Sequence, residues 1–169
     1  MKISYRDGIP EDAAAVDRLF KSVFCETFGH LYSPEDLAAF LAQFTVEGWR
    51  GELTNPDFAF EVAEDAGELI GYAKLGPMKL PLEDDRPAIL LSQLYVDNAH
   101  HGAGISHRLM DRAFAEAKGR GKERLYLTVF TENHRARRFY ERLGFEAVGE
   151  YDFMVGNQAD QDIIMRKTL

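Results

Sequence analysis

A single cysteine, Cys25, leaves this 169-residue chain without a partner for an internal disulfide, and a reducing cytoplasm is the expected compartment. No apolar run approaches the roughly 18 residues of a membrane span, and the opening MKISYRDGIPED lacks the apolar stretch of a secretory leader. An excess of positive charge is missing too. Lysine and arginine number 20 against 28 acidic residues, a formal net charge of −8, which repels nucleic acid and anionic membranes. Neither is an expected partner, whereas cationic partners are mildly favoured. Repeats and low-complexity tracts are lacking, so solenoid and linker readings drop out. The five histidines form no zinc signature, and no metal is expected.

What is present is an ordinary globular composition, 46% hydrophobic and 28% charged. Its length suits one domain over residues 1–169, able to bury roughly 70% of its unfolded surface. Alternation over Lys2 to Arg6 predicts a strand, and Pro10-Glu11-Asp12 opens a helix whose apolar side includes Val16, Phe20 and Val23. Cys25, on that helix, reads as a packed thiol. Ser33-Pro34-Glu35-Asp36 starts a second helix, and Asn55-Pro56-Asp57 closes the region. Strands are predicted over Phe58 to Ala63 and Leu69 to Leu75 around Glu64-Asp65-Ala66-Gly67, then over Ile89 to Val96. A helix begins after His101-Gly102-Ala103-Gly104 and stops at Gly119-Arg120-Gly121. Arg124 to Val129 is a strand and Asn133 to Leu143 a helix. The last two strands, Ala147 to Val155 and Asp162 to Thr168, flank a turn at Gly156-Asn157-Gln158-Ala159-Asp160. The resulting β-α-α-β-β-β-α-β-α-β-β order predicts an α/β (α+β) fold, a mixed sheet with helices on both faces. Trp49 and the phenylalanines are assigned to the core or to pocket walls.

The glycine-bearing turn carries chemistry. Unpaired N–H groups in a helix's first turn bear partial positive charge, and Gly102 and Gly104 let the backbone come close to an anion. A Walker A loop would need a lysine that is missing here. A dinucleotide fingerprint would need a third glycine and an acid closing the next strand, which instead runs into Thr131-Glu132-Asn133. Downstream, Asn133, Ala136 and Tyr140 share one side of a helix.

Together, Val96 followed by His101-Gly102-Ala103-Gly104-Ile105-Ser106, and Asn133-x-x-Ala136-x-x-Phe139-Tyr140-x-x-x-Gly144-Phe145, resemble the GNAT superfamily of N-acetyltransferases. Its (Gln/Arg)-x-x-Gly-x-(Gly/Ala) motif is met with two departures, His101 for the basic or amide residue and Ser106 for the small one. The second pattern is met in full. The resemblance implies a mostly antiparallel sheet of about seven strands. It implies direct acetyl transfer from acetyl-CoA, held by Leu94, Tyr95 and Val96, by His101 through Ser106, and by Asn133, Ala136, Arg137, Tyr140 and Arg142. A homodimer follows from family habit. Tyr140 sits where the family places its general acid, and a phenol can protonate the leaving thiolate.

The acceptor sets a harder problem. A primary alkylammonium, pKa ~10.4, is nucleophilic in about one molecule in a few thousand at neutral pH, a deficit of about 4.6 kcal/mol. Many relatives place a glutamate on the central strand, but Leu90 and Ser92 stand here, and Pro87 through Val96 holds no carboxylate. Glu26 is the first candidate base, and Ser92 is a candidate to hold water. Glu26-Thr27-Phe28, Ser33-Pro34-Glu35 and the ending Asp162-Ile163-Ile164-Met165-Arg166-Lys167-Thr168-Leu169 resemble bacterial polyamine (spermidine/spermine) N-acetyltransferases. That likeness implies a small-molecule amine acceptor near Glu26, Phe28 and Tyr32. Rival readings are a peptide or protein N-acetyltransferase and a CoA-binding module without chemistry.

Overall fold

The computed structural model describes residues 2–169. In chain order its elements are β1 (Ile3–Asp7), α1 (Ala13–Phe28), α2 (Pro34–Leu41), α3 (Val46–Thr54), β2 (Ala59–Asp65), β3 (Glu68–Pro77), β4 (Ala88–Val96), α4 (Ile105–Gly119), β5 (Arg124–Phe130), α5 (His134–Arg142), β6 (Glu146–Val155) and β7 (Gln158–Thr168). Short 3-10 segments lie at Pro10–Asp12, Gly29–Leu31 and Asn98–His100.

Local chemistry explains several starts. Ser33 accepts a hydrogen bond from the Asp36 amide at 3.1 Å and Pro34 occupies the first turn, so α2 begins where the sequence places it. Thr45 caps α3 in the same way through the Gly48 amide, 3.0 Å away. That helix was not expected; Gly48 and Gly51 weaken its intrinsic propensity, and Trp49, its one buried residue, holds it to the core. A second correction concerns Cys25, which is exposed rather than packed. The hairpin turns are also tighter than the turn-forming residues suggest. Ala66 and Gly67, with φ of 52° and 82°, form the first, leaving Glu64 and Asp65 in β2. Gly156-Asn157 form the last, and Gln158, Ala159 and Asp160 belong to β7.

The seven strands form one sheet in the order β1-β2-β3-β4-β5-β7-β6. Every pairing is antiparallel except β4 with β5. On one face α4 packs through Leu109, Met110, Ala113 and Ala117 onto Ala73, Leu75, Leu125 and Leu127, and α5 adds Phe139 and Tyr140. On the other, Phe20, Phe24, Phe40 and Trp49 from α1, α2 and α3 cover Phe60, Val62 and Tyr72. Tilted and edge-on rings fill this second core, with Phe20 and Phe44 centroids 4.5 Å apart.

The parallel pairing that joins the two halves of the sheet is short. It matches Ala88, Ile89 and Leu90 with Arg124, Leu125 and Tyr126, and ends there. At the same place the β3–β4 register slips, with Lys74 opposite Gln93 and Leu75 opposite Leu91, so Ser92 is an extra residue in β4. A bulge bends its strand and disrupts the ladder locally. Beyond it β4 stays with β3 to Val96 while β5 stays with β7 to Phe130, and the sheet parts between them.

Ala66 holds a left-handed conformation that costs alanine about 1 kcal/mol and asparagine less. Ala66→Asn should therefore raise the urea unfolding free energy by about 1 kcal/mol without altering ligand affinity, measured by equilibrium denaturation.

Candidate active site

The gap between β4 and β5 opens into a cleft of about 840 Å³ that runs through the sheet. One end lies against α4 and α5, the other against α1 and Tyr32.

The first end is built from backbone. From Leu91 to Val96, β4 has no ladder partner on its β5 side, so that edge offers N–H and C=O groups to an extended polar chain. Past Val96 and Asn98–His100 comes the glycine turn. Gly102 has φ of 86°, Gly104 has φ of 75° and forms the N-cap of α4 without a side-chain cap, and a Cβ at either would meet nothing within 4 Å. The first-turn amides of α4 are thus left without an intrahelical or capping acceptor beside open space, the arrangement that receives a phosphate. Residues Gly102, Gly104, Ile105, Ser106 and His107 line this end, as does His101. The His101 ring, however, is committed to its own strand: Nε2 lies 3.0 Å from the Val96 carbonyl oxygen. Ala103 does not reach the wall.

Helix α5 forms the facing wall with Asn133, Arg135, Ala136, Tyr140 and Arg142. Asn133 caps the helix, its Oδ1 accepting from the Ala136 amide at 3.3 Å. Arg137, expected at the nucleotide end, is turned away and donates to the Thr131 carbonyl at 2.9 Å. Arg135 takes its place on the wall, a substitution that four arginines close together in sequence do not reveal. The Tyr140 hydroxyl is pushed above its ordinary pKa by burial, and so is that of Tyr95. Both remain protonated donors across the neutral range.

The second end is acidic and aromatic. Phe24, Phe28, Tyr32, Phe130 and Phe153 wall it, with Phe28 edge-on to Phe130 at 6.4 Å. Asp160 and Asp162 project from β7 into it, 8% and 6% exposed. Tyr32 donates its hydroxyl to Asp160 Oδ2. Burial pushes Asp162 up to about 7, partly offset by Thr128 and reinforced by the charge of Asp160. Neither aspartate was singled out from the sequence, because Asp160 was read as part of a turn. The usable signal was their spacing of two, which on a strand puts both on one face. Glu26 also lines the cleft, but it is exposed and bonded to Ser22 (3.3 Å) and to Asn98, at the rim rather than the depth. Ser92 lies on the wall at the bulge, with Leu94, Tyr95 and Val96 beyond it.

These features match a known family: the Acetyltransferase (GNAT) family model covers residues 17–145. The chain belongs to the GNAT family. An N-acetyltransferase of Lactobacillus delbrueckii subsp. lactis, itself uncharacterised, is 31% identical over 173 residues, covering 100% of this chain and 96% of that one. The spermine/spermidine N(1)-acetyltransferase of Bacillus subtilis is 30% identical over 89 residues, 52% of this chain and 59% of that protein. Among solved structures, the PaiA N-acetyltransferase of Thermoplasma acidophilum in complex with coenzyme A superposes over 100% of both chains with a TM-score of 0.80 at 22% identity. This GNAT protein is an acyltransferase whose acyl donor is acetyl-CoA. The open cradle at Gly102 and Gly104 and the free edge of β4 fit a pyrophosphate and an amide-bearing arm, respectively.

A branched side chain at Gly104 combines left-handed strain with obstruction of the cradle. Gly104→Val should weaken coenzyme A binding about tenfold or more, about 1.4 kcal/mol, as read by isothermal titration calorimetry.

Proposed function

We propose that the protein transfers the acetyl group of acetyl-CoA to a small primary amine, with polyamines as the acceptor class. The observation that carries this reading is the second end of the cleft, where Asp160 and Asp162 stand among Phe28, Tyr32, Phe130 and Phe153. Carboxylates attract an alkylammonium, and ring faces favour a cation while covering its methylene chain. The likeness to a spermine/spermidine acetyltransferase over half the chain supports the same acceptor, as does the net charge of −8.

When bound, acetyl-CoA supplies an activated thioester; the chain supplies geometry and protons. The β4 edge from Leu91 to Val96 and the α4 amides set the donor's direction, leading its acyl end to the parting of the strands. There Tyr140 lines the cleft, and burial alone, with no neighbouring charge or side-chain hydrogen bond, shifts its hydroxyl. It donates toward the departing sulfur, whose conjugate thiol has pKa ~8.5. Because burial makes this phenol a weak acid, it acts first by hydrogen bonding to the developing thiolate and then by yielding its proton.

Two measurements test the reading. Thiol release from acetyl-CoA should be faster with spermidine or spermine than with peptides bearing a free N-terminus; turnover confined to peptides would replace the small-amine reading, and turnover with no acceptor would replace it by a CoA-binding module. Tyr140→Phe should lower kcat by about a hundredfold while the coenzyme A Kd stays within about twofold.

A further inference from the structure

The reaction needs a base, and the central strand provides none. We infer that Asp162 is that base, receiving a proton from a primary alkylammonium that Asp160 and Tyr32 hold in place; the inference rests on the small-amine reading above. Three observations converge. Asp162 is 6% exposed yet lines the cleft, so its carboxylate is reached from the cleft and hardly from bulk water. Its register partners Phe130 on β5 and Tyr151 on β6 flank it, which fixes its direction toward the α1 face of the sheet. Asp160, two residues earlier on the same face, is held by the Tyr32 hydroxyl and the Gln158 amide, while Asp162 has the Thr128 hydroxyl beside it, which separates the roles: the more firmly held carboxylate orients, the other exchanges a proton.

The groups facing Asp162 are Asp160 on its own strand, the Thr128 hydroxyl on β5, Tyr151 on β6, Tyr95 on β4 and Tyr32 beside the acceptor end. Among the described residues none of its close electrostatic neighbours is a cation. Such a carboxylate keeps its proton to about pH 7, well above an ordinary aspartate.

The protons balance as follows. The ammonium gives one proton to Asp162, freeing the nitrogen lone pair. That pair forms the N–C bond to the acetyl carbon as the C–S bond breaks and its electrons pass to sulfur. Sulfur takes the proton of Tyr140 Oη, and the nitrogen's second proton restores the phenol. Asp162 releases its proton to solvent, so the net products are the N-acetylated amine, the free thiol and one proton.

The test uses the full chain with spermidine as acceptor and acetyl-CoA as donor. Wild-type kcat/KM should rise with pH to about 7, as Asp162 ionises, and then level. In Asp162→Asn that limb should vanish and kcat/KM fall about a hundredfold. Asp160→Asn should raise KM for spermidine and leave kcat within about twofold of wild type. Folding adds a separate readout. The folded state holds the Asp162 proton to about pH 7 and the unfolded chain only to 3.8, so ionisation opposes folding as pH rises between them. Above pH 7 the Tm of Asp162→Asn should accordingly equal or exceed that of wild type. Retention of the limb in Asp162→Asn, or a lost rate accompanied by a lowered Tm, overturns the inference while the acceptor reading stands. Wild-type protein that acetylates no amine removes the acceptor reading and this assignment together.

Discussion

Everything the molecule offers to ligands depends on three pairs of residues and the bulge that stops them. Ala88, Ile89 and Leu90 pair with Arg124, Leu125 and Tyr126, and the insertion of Ser92 then turns β4 away. Longer parallel pairing would seal the sheet and consume the β4 edge in hydrogen bonds. With no pairing, the two halves, β1 to β4 and β5 to β7, would be joined only through side-chain packing. The cleft exists because the ladder is begun and then abandoned. Both cores are arranged to tolerate this. On one face α4 spans β3, β4 and β5 through Leu109 and Met110; on the other, α1 and its aromatic cluster brace β3 and β4.

The parted sheet also separates opposite electrostatic demands. The α4 end offers unpaired backbone amides to anionic phosphates, and these carry partial positive charge without needing a counter-ion. The α1 end, the proposed amine site, presents two buried carboxylates. Had they shared one pocket, the carboxylates would have repelled the donor. In the proposed reaction each end serves its own partner, and the acyl carbon and the nitrogen meet where the strands part. His101 fits this division. Its ring is tied to the Val96 carbonyl at the exit of β4, so in the proposed arrangement the backbone amides beyond it face the anion.

Much of this was legible in the sequence, and the failures are instructive. The glycine turn was readable because a strand-to-helix turn of this kind needs glycine at fixed places, and Gly102 and Gly104 both hold positive φ. The seven strands followed from alternation and β-branched runs. Helix α3 was missed because two glycines mask a helix held by one tryptophan. Cys25 was placed wrongly because a helix position does not reveal which side faces water near the chain's turn at Gly29. Arg135 and Arg137 exchange roles according to which arginine the Thr131 carbonyl captures. The acceptor end was least visible. It gathers residues from α1, β5, β6 and β7, and no local pattern announces a site assembled from elements up to 130 residues apart, as Tyr32 and Asp160 nearly are.

The missing carboxylate on β4 gains a physical reading from this geometry. A glutamate there would approach the nitrogen from the wall that also holds the donor. In this chain that wall is Leu91, Ser92 and Gln93, and the carboxylates stand opposite, on β7. Placement on β7 has a consequence for basicity. Burial beside Phe130 raises the carboxylate, and one titrating at about 7 rather than 3.8 is a stronger proton acceptor by about 4 kcal/mol. A proton passing from an ammonium of pKa ~10.4 to this group climbs about 4.6 kcal/mol, against about 9 kcal/mol to an aspartate at 3.8. The same burial works against folding once the group ionises, so the fold gives no reason for an aspartate at this position and the proposed proton transfer does.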